Sequence, residues 1–254
     1  MKSKTPALEV CGLCKSYPAF TLKDVSFSVP QGAIMGFIGR NGAGKSTTLK
    51  SILGLVHPDG GEVRFFGKDF RGNEQYIKEN IGVVLGGIDF YPKKKVKTIT
   101  EVTRRFYSDW NEEKYRHYLK LFSLDEDKRV DQLSSGMKVK YLIALALSHD
   151  AKLLILDEPT SGLDPVSRDD LTELFAAVVA DGTRTILFST HITSDLEKCA
   201  SHITYIRDGE IICSAEKSAF VTAFGHLRQE GEQLTLEKIM VRTERRGYDE
   251  SAFV

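Results

Sequence analysis

Residues 39–47 read GRNGAGKST, with the apolar run AIMGFIG leading into them and STTLKSILGL leading out. The stretch satisfies G-x-x-x-x-G-K-[ST] and lies between an expected strand and an expected helix, the setting that a phosphate-binding loop requires. Gly39, Gly42 and Gly44 let the backbone curl until several N–H groups face one anion, with Arg40, Asn41 and Ala43 completing the curl. The following helix adds its positive end. Lys45 supplies a point charge for the outer phosphates. Ser46, followed by Thr47, offers a hydroxyl suited to Mg²⁺, a hard cation that prefers oxygen.

Downstream, LLILDE (153–158) is a buried strand ending in two carboxylates. Asp157 at that end can hold Mg²⁺ through water. Glu158, next in line, is placed to orient and deprotonate an attacking water. An acidic pair at a strand end can also serve as a helix cap, but beside a phosphate loop that is the weaker reading.

Outward from these two stretches the pattern is that of an α/β protein. Residues 8–38 alternate polar and apolar in LEVCGL, TLKDVSFSV and AIMGFIG, which predicts strands, with Pro30-Gln31-Gly32 as a turn. Gly60-Gly61 is expected to break the chain before a strand EVRFFG, and IGVVL (81–85) is a short buried strand. Residues 88–150 form an expected helical insertion: they hold KKK at 93–95, the single tryptophan Trp110, and EEKYRHYLKLF with Tyr115, Tyr118, Leu119 and Phe122 on one helical face. Strand and helix alternate again from 152, in KLLILD, DLTELFAAVVA, TRTILFST and SDLEKCA. Asp208-Gly209 predicts a hairpin within ITYIRDGEII. Beyond 215 the chain reads as mostly polar helix and loop.

Composition narrows the class. Of 254 residues, Lys+Arg and Asp+Glu both number 35, so a global basic field for nucleic acid is absent and no nucleic-acid partner is expected. No apolar run is long enough to span a membrane, and MKSKTPALEV lacks the apolar core of a signal peptide. The expectation is a cytoplasmic protein, peripheral on the membrane's inner face where a partner holds it there. Cys11 and Cys14 form a CxxC, but Cys199 and Cys213 are not a second close pair, so reduced thiols without a metal are expected.

LSSGM (133–137) opens a long apolar helix, YLIALAL, and adds a second place where a helix start can hold an anion. GRNGAGKST, LSSGM, LDEPTSGLD and STH occur in this order, with the helical block between the first two. Over residues 8–215 the set resembles the nucleotide-binding subunit of ABC transporters. The resemblance implies a P-loop NTPase core of ABC-ATPase type, with an N-terminal antiparallel β subdomain and an inserted α-helical subdomain. Core residues are then 1–87 and 151–215, the helical signature subdomain 88–150, and a C-terminal tail 216–254.

The resemblance also implies roles. ATP and Mg²⁺ are the cofactors, and Glu158 and His191 the catalytic pair. Tyr17, in CKSYPAF, stacks on adenine, a contact worth on the order of 1–3 kcal/mol per base in nucleic-acid binders; a tyrosine there could also simply pack a strand. Two subunits pack head to tail, as homodimer or heterodimer, and integral membrane permease subunits carry the cargo. Ser134 and Gly136, with Ser135 between them, then contact the γ-phosphate of a nucleotide held by the partner, and Asp164 of SGLD lies along the dimer seam. Ser135 stands where the family has glycine, and Met137, in place of glutamine, cannot make that residue's polar contacts. The glutamine expected after IGVVL is absent, its place taken by Gly86 or Gly87; Asp89 is the nearest carboxylate that could reach Mg²⁺ instead. The lysine run with Lys97 reads first as a solvated face, and second as a surface for a membrane protein or anionic headgroups. The short signature variant suggests an exporter-like branch. A nucleotide-gated clamp that transports nothing is the runner-up. A small-molecule kinase leaves LSSGM and SGLD unexplained.

Overall fold

The computed structural model describes residues 5–85 and 91–244. The chain opens with β1 (Leu8–Tyr17), β2 (Phe20–Val29) and β3 (Ile34–Ile38), then α1 (Lys45–Ile52). β4 (Gly60–Phe65), β5 (Lys68–Asp69), α2 (Glu74–Asn80) and β6 (Ile81–Val84) follow. The helices α3 (Val96–Thr103), α4 (Glu112–Leu121) and α5 (Ser135–Ser148) lead into β7 (Leu153–Asp157). After it come α6 (Pro165–Val179), β8 (Thr185–Thr190), α7 (Thr193–Cys199), β9 (His202–Arg207), β10 (Glu210–Glu216), α8 (Lys217–Ala223) and α9 (Leu236–Glu244).

Among the described residues the strands form two sheets. One is antiparallel in the order β2-β1-β4-β5; the other runs β10-β9-β3-β8-β7-β6 and is parallel except for β10 at its edge. Parallel strands covered on both faces must be apolar on both faces, and β7 shows it. Leu153 and Ile155 join a core against the antiparallel sheet, whereas Leu154 and Leu156 face α5, α6 and α7. Each such side chain contributes about 1.5–3 kcal/mol on burial. β3 and β8 divide in the same way. The carboxyl ends of β3, β7 and β8 come out on one edge, where ligands bind in open α/β sheets.

From Tyr141 to Leu147 α5 is apolar all round because it has two neighbours. Ile143, Ala146 and Leu147 face the parallel sheet, while Tyr141 and Leu145 face α3 and α4. Ala146 rides directly on Gly82 of β6, where an added Cβ would come within 2.4 Å of the alanine's own. The expected helical face is present on α4: Tyr115 and Leu119 are buried, and the Tyr115 hydroxyl shares Thr100 Oγ1 (2.7 Å) with Tyr141 (2.9 Å).

Two expectations change. The glycine pair at 60–61 does not precede a strand but begins β4; Gly61 lies against the backbone of Gly12 on β1, where an added Cβ would stand 2.5 Å from the Gly12 carbonyl oxygen. The segment after 215 is helical but not mainly polar, because Phe220, Phe224, Leu234, Leu236 and Ile239 are buried in the main core. In and beside the lysine run, the half-exposed Lys95 and Lys97 both pair with Asp127, which agrees with a solvated face. Gly86, Gly87 and Asp89 lie outside the described residues.

Candidate functional site

The phosphate loop joins β3 to α1, and its neighbours shape it. Gly42 and Gly44 take positive φ (84° and 115°). At Gly44 a Cβ would meet Leu22 and Phe20 of β2 at 2.7 and 2.8 Å. The Gly209 N–H, from the β9–β10 turn, donates to the Ala43 carbonyl at 3.1 Å. Lys45 is 5% exposed. Its ammonium donates back to the loop's own carbonyls, at Gly39 (2.8 Å) and Arg40 (3.2 Å), and stands 3.3 Å from Glu158 Oε1. Ser46 is exposed at the start of α1, beside the half-buried Thr47; Arg40 and Asn41 are exposed at the crest.

β7 delivers Asp157 and Glu158 to the same edge, with β8 between them and the loop strand. Ser189 on β8 donates its hydroxyl to Asp157 Oδ1 at 2.5 Å. Glu158 has a left-handed backbone (φ 51°), a strained conformation for a non-glycine residue. Its N–H is held by the Ser189 carbonyl (3.0 Å) and hydroxyl (3.2 Å). The second carboxylate oxygen, Oε2, lies 2.8 Å from His191 Nδ1. One carboxylate is thus suspended between the loop lysine and a histidine two residues past Ser189. Lys45, Asp157, Glu158 and His191, picked from separate motifs, meet here. Ser189 was not given a role, although it opens the STH stretch that carries His191; its full burial as a polar side chain beside Asp157 is the signal.

Tyr17 ends β1 at the tip of the β1–β2 hairpin and is 41% exposed, with Lys15 Nζ 5.7 Å from its ring centroid. An exposed ring at a hairpin tip does not serve the core, which leaves its face open to a ligand.

At the other end, Ser134 caps α5, its hydroxyl accepting from the Met137 N–H at 3.2 Å. Ser134 and Ser135 are exposed, and Gly136 is buried against Leu163 and Ser167. Met137 packs on the helical cluster, an apolar role that suits methionine at that place. Asp164 caps α6, accepting from the N–H groups of Val166 and Ser167 (both 3.0 Å) and from Ser167 Oγ (2.6 Å). The Ser167 hydroxyl foremost holds its carboxyl below the ordinary carboxylate range. Among the described residues no hydrogen bond or ion pair links Ser134, Ser135 or Gly136 to Lys45, Glu158 or His191.

The donor set fits Mg²⁺. Ser189 takes only Oδ1 of Asp157, which leaves Oδ2 as an acceptor, and the Ser46 hydroxyl is exposed at the loop. Both are hard oxygen donors, and Mg²⁺ completes its shell with water and phosphate oxygens rather than an all-protein cage.

A family model described as ABC transporter matches residues 22–161, more than half of the chain. The chain belongs to the ABC transporter family. Among relatives of this ABC transporter family member, a bacitracin transport ATP-binding protein of Bacillus licheniformis is 34% identical over 190 residues, covering 74% of this chain and 62% of that protein. The match therefore spans just under two thirds of that relative's length. A Nod factor export ATP-binding protein I of Ralstonia nicotianae is 32% identical over 224 residues, covering 86% and 70%. A solved ATP-binding subunit of an ABC transporter superposes with a TM-score of 0.82 at 27% identity, covering 94% of this chain and all of that one. The expected fold, an ABC-type P-loop core of mixed α/β build, is borne out. No helix among the described residues is long and apolar enough to cross a membrane.

Proposed function

We propose that this ABC transporter family member is the ATP-binding and ATP-hydrolysing subunit that powers transport through separate membrane permease chains. One observation carries the reading: the Glu158 carboxylate sits at a strand end between Lys45 and His191, 3.3 and 2.8 Å away. Lys45 and the loop N–H groups bind the phosphates, and Tyr17 stacks on adenine. Ser46 and Asp157 hold Mg²⁺, which when bound neutralises phosphate charge.

The ion pair supports an order of events, since Lys45 has Glu158 as counter-ion. A triphosphate offers Lys45 a more highly charged partner, so nucleotide entry draws the ammonium away and leaves Oε1 free to accept a proton from water. His191 on Oε2 holds the carboxylate in place meanwhile. A second subunit, identical or homologous, supplies Ser134, Ser135 and Gly136 to the γ-phosphate, with Asp164 at the seam. Dimer closure and reopening then move the permease, which holds the subunit at the inner face of the membrane. Relatives named for bacitracin transport and Nod factor export support an exporter; the permease chains select the cargo.

Glu158→Gln tests this. The variant should keep ATP, run as a dimer in light scattering, and lose about 10²–10⁴-fold of Mg²⁺-dependent turnover. An ATP-loaded variant that stays a monomer would overturn the shared pocket. Copurification of the wild type with a membrane permease separates transport from a nucleotide-gated clamp.

A further inference from the structure

The C-terminal helix reaches the phosphate loop. α9 buries Leu236 and Ile239 in the core that holds Tyr205 and Phe224. Arg242, in its last turn, pairs with Glu232 and donates to the Leu227 carbonyl at 2.6 Å, which fixes the helix against the chain before it. Glu244, the last described residue, has a side chain only 13% exposed. The Tyr205 hydroxyl, from β9, donates to Glu244 Oε1 at 2.7 Å. On the other side Arg40 Nη1, from the phosphate loop, stands 3.7 Å from Oε2. The same strand braces the loop directly: the Ile206 carbonyl lies so close to Gly39 that a Cβ there would be 2.4 Å from it.

Arg40 belongs to a loop built to face an anion. A guanidinium is the side chain best shaped to pair with phosphate oxygens in a two-pronged geometry. Glu244 gives it a carboxylate instead, and a guanidinium held by a carboxylate is withheld from a nucleotide. The Arg40 side chain is 58% exposed, so the pairing is screened by water and salt. It is therefore suited to tuning affinity rather than abolishing it.

We propose that Glu244 is a positioning residue of the nucleotide site: anchored by Tyr205, it draws Arg40 away from the phosphates, so that the C-terminal helix sets how tightly the loop keeps its nucleotide. The inference rests on the nucleotide-binding reading above and gives the segment after 215 a part in it.

The test is ADP binding to the full-length chain, where no turnover intrudes. Glu244→Gln should bind ADP about three- to tenfold more tightly at low ionic strength, and lose that gain faster as salt rises, because one more cation engages the phosphates. Adenosine, which has no phosphate, should bind wild type and variant alike; a general loosening of the site would move both ligands. Adding Arg40→Ala should remove the gain. Tyr205→Phe, which deletes only the anchoring hydroxyl, should give a smaller shift in the same direction. Arg40→Ala alone is the reference for that double variant, and a loss of ADP affinity in it larger than the Glu244→Gln gain would mean that Arg40 already grips phosphate, which overturns the proposal. So would an unchanged Glu244→Gln, or a gain that survives the loss of Arg40. A wild-type chain that binds no ADP would break the nucleotide-binding reading itself; normal binding with an indifferent Glu244→Gln breaks this inference alone.

Discussion

The phosphate loop and the start of α5 are both proposed to meet an anion, but only the first carries counter-charges within the chain. Lys45 is buried, with two carbonyls and a carboxylate around its ammonium. Ser134 and Ser135 are exposed, and Ser134 has the one capping bond to Met137. The difference teaches that a site can be divided by energetics. Charges at the loop need counter-ions whenever phosphate is absent, since a buried unpaired charge is costly. A neutral helix start can wait in water at little cost.

That contrast sets where substitutions should act. Lys45→Ala takes away charged hydrogen bonds to phosphate and should weaken nucleotide binding about ten- to hundredfold, measured by calorimetric titration; unchanged affinity would erase the distinction between the two ends. The glycines differ next. Gly39→Ala drives a methyl to 2.4 Å from the Ile206 carbonyl oxygen, and should cost about 1–3 kcal/mol in a denaturant melt. Gly136→Ala meets nothing nearer than Leu163 at 3.7 Å, so its melt should stay close to wild type, and any loss of turnover then reports on the ligand.

Ser134 separates cap from ligand. Ser134→Ala should cost about 1 kcal/mol of stability through the lost cap. Ser134→Asp keeps the cap, restores the melt, and should still depress turnover because it sets a carboxylate against phosphate. Equal turnover in the two variants would reduce this serine to a cap.

The smallest effect lies at the far end of α5. His149 is buried, stacked on Tyr107 at 3.7 Å between centroids, with Nδ1 3.1 Å from the Glu79 carbonyl. Burial, foremost, pushes its pKa below the ordinary 6.5. The unfolded chain therefore gains a proton on this residue as pH drops through about 6.5 while the folded chain does not. Stability from this group is complete above that value and declines below it. Melts of His149→Gln between about pH 5 and 8 should show a shallower acid limb than wild type; identical limbs would remove His149 from the account.

What the sequence made legible was local along the chain. GRNGAGKST, LLILDE and LSSGM each carry their chemistry in a few consecutive residues, and the central parallel strands announce themselves by short apolar runs such as LLIL and ILF. The unread parts are contacts between distant segments. The Ser189–Asp157 bond joins neighbouring strands, and its geometry depends on β8 lying between β3 and β7, which no spacing records. Arg40–Glu244 joins opposite ends of the chain, and Tyr205–Glu244 spans 39 residues. Phe220, Phe224, Leu234 and Ile239 lie too far apart in a polar stretch to look like a core face, and only the cover they give to Tyr205 and Ile203 makes them one. Asp89 as a stand-in for the missing glutamine falls outside the described residues.

The seat of Ala146 on Gly82 has a mechanical consequence. With no side chain on residue 82, the Ala146 methyl lies directly over the strand backbone, so any tilt of α5 on the sheet would turn about that contact. Ser134 is twelve residues away along a rigid rod, about 18 Å at helical rise, so a tilt of about 10° there swings it by about 3 Å. A methyl on residue 82 would wedge the rod away from its bearing and misalign its tip, leaving every group at the phosphate loop where it was.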